Sequence, residues 1–154
     1  MSSVEERLAH EGFTIPTVAT PLASYTPALR TGNYVYVSGQ LPFVNGELPR
    51  HGKVGSDLTA EEAADLAQIS ALNAIAAVRS VVDDLDKVVR VVKVVGFVAS
   101  AEHFTAQPLV INGASNLLVL AFGEGGVHAR SAVGVVSLPL DSPVEVEMIV
   151  EVVD

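Results

Sequence analysis

One cation stands inside an otherwise apolar, strand-like run: Arg130, in His128-Ala129-Arg130-Ser131-Ala132-Val133-Gly134-Val135-Val136-Ser137-Leu138-Pro139. With a strand's period of two, Arg130, Ala132, Gly134, Val136 and Leu138 share one face, and the two small residues beside the guanidinium leave room above the sheet. A guanidinium is a planar fork of donors that keeps its charge at any relevant pH, so the guest it suits is a small carboxylate. Two other roles fit the same residue: a charge snorkelling off a strand end, and a structural salt bridge. His128 has the right type for acid–base work, although an isolated histidine at a strand start is more often structural.

The elements that position these groups are legible along the chain. Val4 to His10 reads as a short charged helix closed by Gly12, and Pro16 to Pro27 as an extended or looped stretch. Ala28–Arg30 and Tyr34–Ser38 flank the compact turn Thr31-Gly32-Asn33 and predict a hairpin, followed by a loop from Gly39 to Asp57. Thr59-Ala60-Glu61-Glu62 has the capping-box pattern that starts a helix, and its apolar stripe from Ala63 to Val82 is wide enough to cover a sheet. Asp83 and Asp84 oppose the dipole at its end, so fraying is expected there. A valine-rich strand over Val88–Val98 and a second helix from about Pro108 to Phe122 come next.

The last two strands, Val127–Leu138 and Val144–Val153, complete a ββαβαββ order. In the second, Val144, Val146, Met148, Val150 and Val152 face one way and Glu145, Glu147 and Glu151 the other. If these two strands form a hairpin about Asp141, Arg130 lies opposite Val152, and Glu145 is seven residues further on, about 20 Å away at ordinary strand rise. Two helices on one face of a mixed sheet leave the other face bare, and a valine-bearing sheet face is expected to be covered by oligomerisation.

Composition sets the outer bounds. A chain of 154 residues with 49 % apolar content predicts one domain with one core. The formal charge is −9 and the nine Lys and Arg are dispersed, so nucleic acid is not the expected partner; Lys87, Arg90 and Lys93 read as a solvated face. There is no cysteine, and four scattered histidines make a metal site improbable. Neither a membrane span nor a secretion signal is read, and the cytoplasm is the expected compartment.

Four segments together resemble the Rid/YjgF family of enamine and imine deaminases: Tyr25; Ser38-Gly39-Gln40-Leu41-Pro42; Ala129-Arg130-Ser131-Ala132-Val133 with Leu138-Pro139; and Val144-Glu145-Val146-Glu147. The resemblance spans roughly residues 20–153 and is to a branch with an N-terminal helical extension, which it implies for residues 1–20, and a longer second-helix region, Gln107–Asn116. It implies an α+β, chorismate-mutase-like fold, a mixed sheet with two helices on one face, and a homotrimer with a central barrel and clefts between subunits. It also implies cofactor-free hydrolysis of 2-aminoacrylate and related imines to 2-keto acids and ammonia.

In that resemblance Arg130 matches the arginine that grips the substrate carboxylate and Glu145 the glutamate that places or activates water. Tyr25 and Ser38 match residues that close over the ligand, and Asn112 a polar residue near the same cleft. Ala132 stands where archetypal members often carry a cysteine, which puts their substrate range in doubt here. A non-catalytic trimer that binds a small carboxylate such as a 2-keto acid is the alternative; a ribonuclease or translation inhibitor is the third, weakened by the acidic charge.

Overall fold

The computed structural model describes residues 1–18 and 24–154. Helix α1 (Ser3–His10) starts at a capping box in which the Ser2 hydroxyl accepts from the Glu5 amide and the Glu5 carboxylate accepts from the Ser2 amide. It is pinned to the rest of the fold by polar contacts. Ser3 donates to Asp86, Arg79 pairs with Glu5 at 2.7 Å, and Arg7 donates from Nε and Nη2 to the Ala121 carbonyl. Gly12, at φ 86°, turns the chain after it as the sequence predicts. Of the proline-punctuated stretch, residues 19–23 lie outside the described residues; the described remainder is irregular.

Strands β1 (Ala28–Thr31) and β2 (Tyr34–Gln40) form the predicted antiparallel hairpin, with Gly32 in the left-handed region at φ 58°. The Thr59 capping box starts α2 (Ala60–Val82). The two aspartates at its end do not fray it. Asp83, at φ 64°, donates its amide to the Arg79 carbonyl, and the Asp84 side chain caps the short 3-10 turn that leads into β3 (Val88–Ala99). Helix α3 (Gln107–Phe122) has Pro108 in its first turn, where a missing amide costs nothing, and ends at Gly123.

Strands β4 (Ala129–Val135) and β5 (Val144–Val152) do not form a hairpin. The sheet order is β1-β2-β5-β3-β4: β5 inserts antiparallel between β2 and β3, and β4 lies parallel to β3 at the edge. Helix α3 supplies the crossover that a parallel pair requires. The alternating valines of β5, all buried, match a central strand, whereas β4 carries Ala129, Ala132 and Gly134 and has less to bury. The link between β4 and β5 turns away from the sheet through left-handed Leu140 and Asp141.

Helices α2 and α3 cover one face of the sheet, and one hydrophobic core joins them to the inward residues of β2, β3 and β5. They approach each other closely: a Cβ on Gly113 of α3 would stand 2.0 Å from the Ala64 carbonyl oxygen of α2. Helix α2, and α3 taken together with the turn that follows it to Gly126, are long and apolar enough by composition to cross a membrane, and residues 104–123 contain no Asp, Glu, Lys or Arg. Packing on the sheet and on each other accounts for that apolarity here. The opposite sheet face is open and carries Tyr34, Tyr36 and Val133, all exposed, beside Ile149, Lys93 and Glu147. The expected α+β arrangement of a mixed sheet with helices on one face is therefore present.

Candidate functional site

Arg130 points toward the helical face, because its parallel partner Val94 is a buried residue of that face. The guanidinium reaches α3 rather than solvent or an acid. Nη1 donates to Asn112 Oδ1 at 2.8 Å and to Ser115 Oγ at 3.1 Å, and Nη2 reaches the Pro108 carbonyl at 3.5 Å. Neither snorkelling nor a salt bridge describes it: among the described residues its partners are all neutral. With both Nη1 protons engaged, the Nε–H and the outer Nη2 proton form the side-on fork that a carboxylate can accept.

Two expectations about this neighbourhood change. The strand ends at Val135, so Val136 and Leu138 do not continue the Arg130 face. Nor is the space above Gly134 empty, since a Cβ there would meet Gln107 Nε2 at 2.7 Å; that amide is held by Ser100 Oγ and the Phe104 carbonyl. The small residues of β4 thus let the start of α3 come down onto the sheet, which brings Pro108 and Asn112 within reach of the guanidinium.

His128 is tied at both ring nitrogens, with Nδ1 2.6 Å from the Gly126 carbonyl and Nε2 2.9 Å from Ser115 Oγ. Through the Ser115 hydroxyl, which Arg130 also contacts, it is connected to the guanidinium. Ser115 escaped the sequence reading. The available signal was that Pro108, Asn112 and Ser115, at i, i+4 and i+7, lie on one face of a helix.

Glu145, Ser38 and Tyr25 gather at a second locus, on the β1-β2-β5 side. Between Val37 and Gln40 the β2–β5 register slips, and the bulge places Gly39 against Glu145. A Cβ on Gly39 would stand 2.8 Å from Glu145 Cδ and 3.1 Å from Oε2, so the missing side chain makes the carboxyl's seat. Half-burial, and secondly the charge of Glu147, hold the Glu145 carboxyl above the usual range. The Ser38 hydroxyl donates to the Thr26 carbonyl at 2.6 Å, fastening the segment that carries Tyr25, whose ring is 60 % exposed. The sequence reading ends this strand at Ser38 and starts a loop at Gly39, whereas β2 runs on to Gln40; a glycine inside a strand is the signal for such a close approach.

The two loci do not meet within one chain. Arg130 is in register with Val94 and Glu145 with Phe97, on strands that flank β3, which sets them roughly 14 Å apart along the sheet by strand spacing and rise, shorter than the hairpin predicts. The decisive separation is by face: Arg130 lies on the helical face and Glu145 on the open one, where Phe97 is its neighbour. A shallow depression of about 130 Å³ on that open face is lined by Tyr36, Lys93, Val95, Glu147 and Ile149, and contains neither residue.

Comparison with known proteins places the fold. The family described as "YjgF/chorismate mutase-like, putative endoribonuclease" matches over residues 5–152, a span that takes in most of α1. Protein TCP17 of Trypanosoma cruzi is 40 % identical over 149 residues, covering 96 % of this chain and 93 % of that one. The crystal structure of Atu1372 from Agrobacterium tumefaciens, a protein of unknown function, is 46 % identical with a TM-score of 0.92, over 97 % of this chain and 92 % of the other. The Escherichia coli YjgF structure is more distant, 25 % identical with a TM-score of 0.65, over 90 % and 98 % of the two chains. With the family matched over nearly its whole length and its mixed sheet and helical face in place, the chain belongs to the Rid/YjgF family.

Proposed function

We propose that the protein hydrolyses small 2-imino acids, and their enamine tautomers, to 2-keto acids and ammonia without a cofactor. The observation that carries this reading is Arg130: a guanidinium held by neutral acceptors alone, with its side-on fork available for a carboxylate. The substrate carboxylate docks there, and Asn112, whose Oδ1 accepts from Arg130, has its Nδ2 group as a further donor. Water adds to the imine carbon, the carbinolamine loses ammonia, and the ketone remains. A carboxyl whose proton affinity is raised, as at Glu145, is suited to take the proton from water and return it to the leaving nitrogen.

Because the two loci lie on opposite faces, this chemistry requires a second subunit to bring Glu145, Tyr25 and Ser38 to the Arg130 of its neighbour. The exposed aromatic and aliphatic residues of the open face support such an assembly, which we take to be a homotrimer with the sheets inward. A second reading, a trimer that binds a 2-keto acid without turnover, is favoured by one observation: the Arg130 locus can capture a carboxylate without Glu145. The endoribonuclease wording attached to relatives is weighed against a net charge of −9, which repels phosphate.

The test generates imino acids in place with an amino-acid oxidase or a dehydratase and follows the decay of the imine, with the mass of the protein measured by light scattering. Accelerated decay by a trimer, abolished in Arg130→Ala, is the expected result. Pyruvate binding through Arg130 without acceleration of any small or branched imino acid would replace the hydrolase by the binding protein. RNA cleavage that disappears in the same variant would overturn both.

A further inference from the structure

We propose that Ser115 and His128 are positioning residues for Arg130, forming a hydrogen-bonded tether that holds the guanidinium with its Nε/Nη2 edge outward. This rests on the reading of Arg130 as the carboxylate anchor. The tether runs Gly126 carbonyl, His128, Ser115, Arg130, with distances of 2.6, 2.9 and 3.1 Å. Each atom's role follows from its neighbour. A carbonyl only accepts, so His128 Nδ1 carries a proton and donates to Gly126. Ser115 Oγ already accepts from a cation, so its own proton is free to point at His128 Nε2, which accepts. This assignment gives the imidazole as the Nδ1–H tautomer, with Nε2 left as the acceptor for the hydroxyl that Arg130 uses.

The far end of the tether is rigid. Gly126 is buried, and a Cβ on it would stand 2.2 Å from the Leu118 carbonyl oxygen, so its place against α3 is dictated by backbone contact. Asn112 supplies the second acceptor for Nη1, and two fixed acceptors on one nitrogen define the plane of the guanidinium. A long arginine side chain otherwise loses rotamer freedom when it binds; one already immobilised does not, and the gain appears as affinity. The carboxylate is gripped equally before and during the reaction, so the tether acts on substrate capture and leaves the chemical step alone.

Nitrogen-15 NMR of the whole protein reads the tether without substrate. In wild type, the Nη1 and Nη2 signals of Arg130 are expected to be resolved through slow guanidinium rotation, and His128 to show the Nδ1–H tautomer. Ser115→Ala should merge the Nη signals and Ser115→Thr, which keeps the hydroxyl, should keep them apart. His128→Gln serves as a second variant should Ser115→Ala fold poorly, and should broaden the same signals. With imino acid as substrate or pyruvate as binding probe, Ser115→Ala should raise KM or Kd about threefold to tenfold at unchanged kcat, and add nothing in an Arg130→Ala background.

A purely structural role would lower kcat with the loss of folded enzyme and leave KM where it was, and that result overturns the proposal. So does an Nε2–H tautomer at His128, or Nη signals indifferent to Ser115. If wild type neither turns over imino acids nor binds pyruvate, yet the NMR signatures are those expected, the functional reading fails while the tether stands.

Discussion

Gly39→Ala is the perturbation that bears most directly on Glu145. The glycine sits in the β2–β5 bulge, and its φ is outside the left-handed region, so alanine is conformationally acceptable there. The added methyl would stand 2.8 Å from Glu145 Cδ, about 0.6 Å short of the 3.4 Å at which ordinary contact begins, so the carboxyl must move by at least that much. The end of a glutamate side chain can yield, which keeps the strain small. Stability is further offset by the lower entropy of the unfolded alanine chain, worth roughly 0.4 to 1 kcal/mol. A catalytic group displaced by a sizeable fraction of an ångström loses about tenfold to a hundredfold in rate, or roughly 1.4 to 2.7 kcal/mol of barrier. Imine decay followed spectroscopically gives kcat, titration calorimetry with pyruvate gives Kd, and thermal unfolding gives Tm. The expected pattern is a tenfold or greater fall in kcat with Kd and Tm nearly unchanged. An unaltered kcat would refute the role of Glu145 in turnover, and a parallel loss in all three would show a folding defect instead.

Arg130→Lys keeps the charge but loses the fork and the paired contacts to Asn112 and Ser115; a charge-assisted interaction is worth roughly 1.5 to 3 kcal/mol, so Kd for pyruvate should rise on the order of tenfold to a hundredfold, read by calorimetry. Stability should fall as pH rises through the window between the ordinary glutamate value and the raised one of Glu145, since there the folded protein holds a proton that the unfolded chain has released. Glu145→Gln should remove that slope in urea unfolding series at stepped pH. On the acid side the sign reverses: Glu5, lowered first by its hydrogen bond from Arg79, contributes stability that is lost as pH drops through its depressed value, a loss absent in Glu5→Gln. Gly113→Ala should prevent folding or lower Tm steeply, because its methyl would meet the Ala64 carbonyl oxygen at 2.0 Å and both atoms belong to backbone; circular dichroism and soluble yield decide it.

Local signals in the chain carried what depends on neighbours in sequence. The Thr59 capping box starts α2 where it should, Gly12 and Gly32 turn the backbone, and the alternation of β5 correctly assigns Val146 and Met148 to the core and Glu145 and Glu147 to the open face. These follow from periodicity and from hydrogen bonds spanning three or four residues. The composite motif that pairs Arg130 with Glu145 marked the family for the same reason, since it is a pattern of residue types.

Only the tertiary structure decided which strands pair. A β4–β5 hairpin and a β4 strand parallel to β3 differ in non-local contacts that the residues of β4 do not encode alone. The choice is made by α3 as a crossover and by β5 burying both flanks. The surroundings of Arg130 followed from that choice: strand β4 at the edge brought Pro108, Asn112 and Ser115 over the guanidinium, and Gln107 over Gly134, where the sequence by itself suggested empty space. The seat of Glu145 likewise arises from a bulge that shifts register between β2 and β5, an adjustment set by two strands more than a hundred residues apart in the chain.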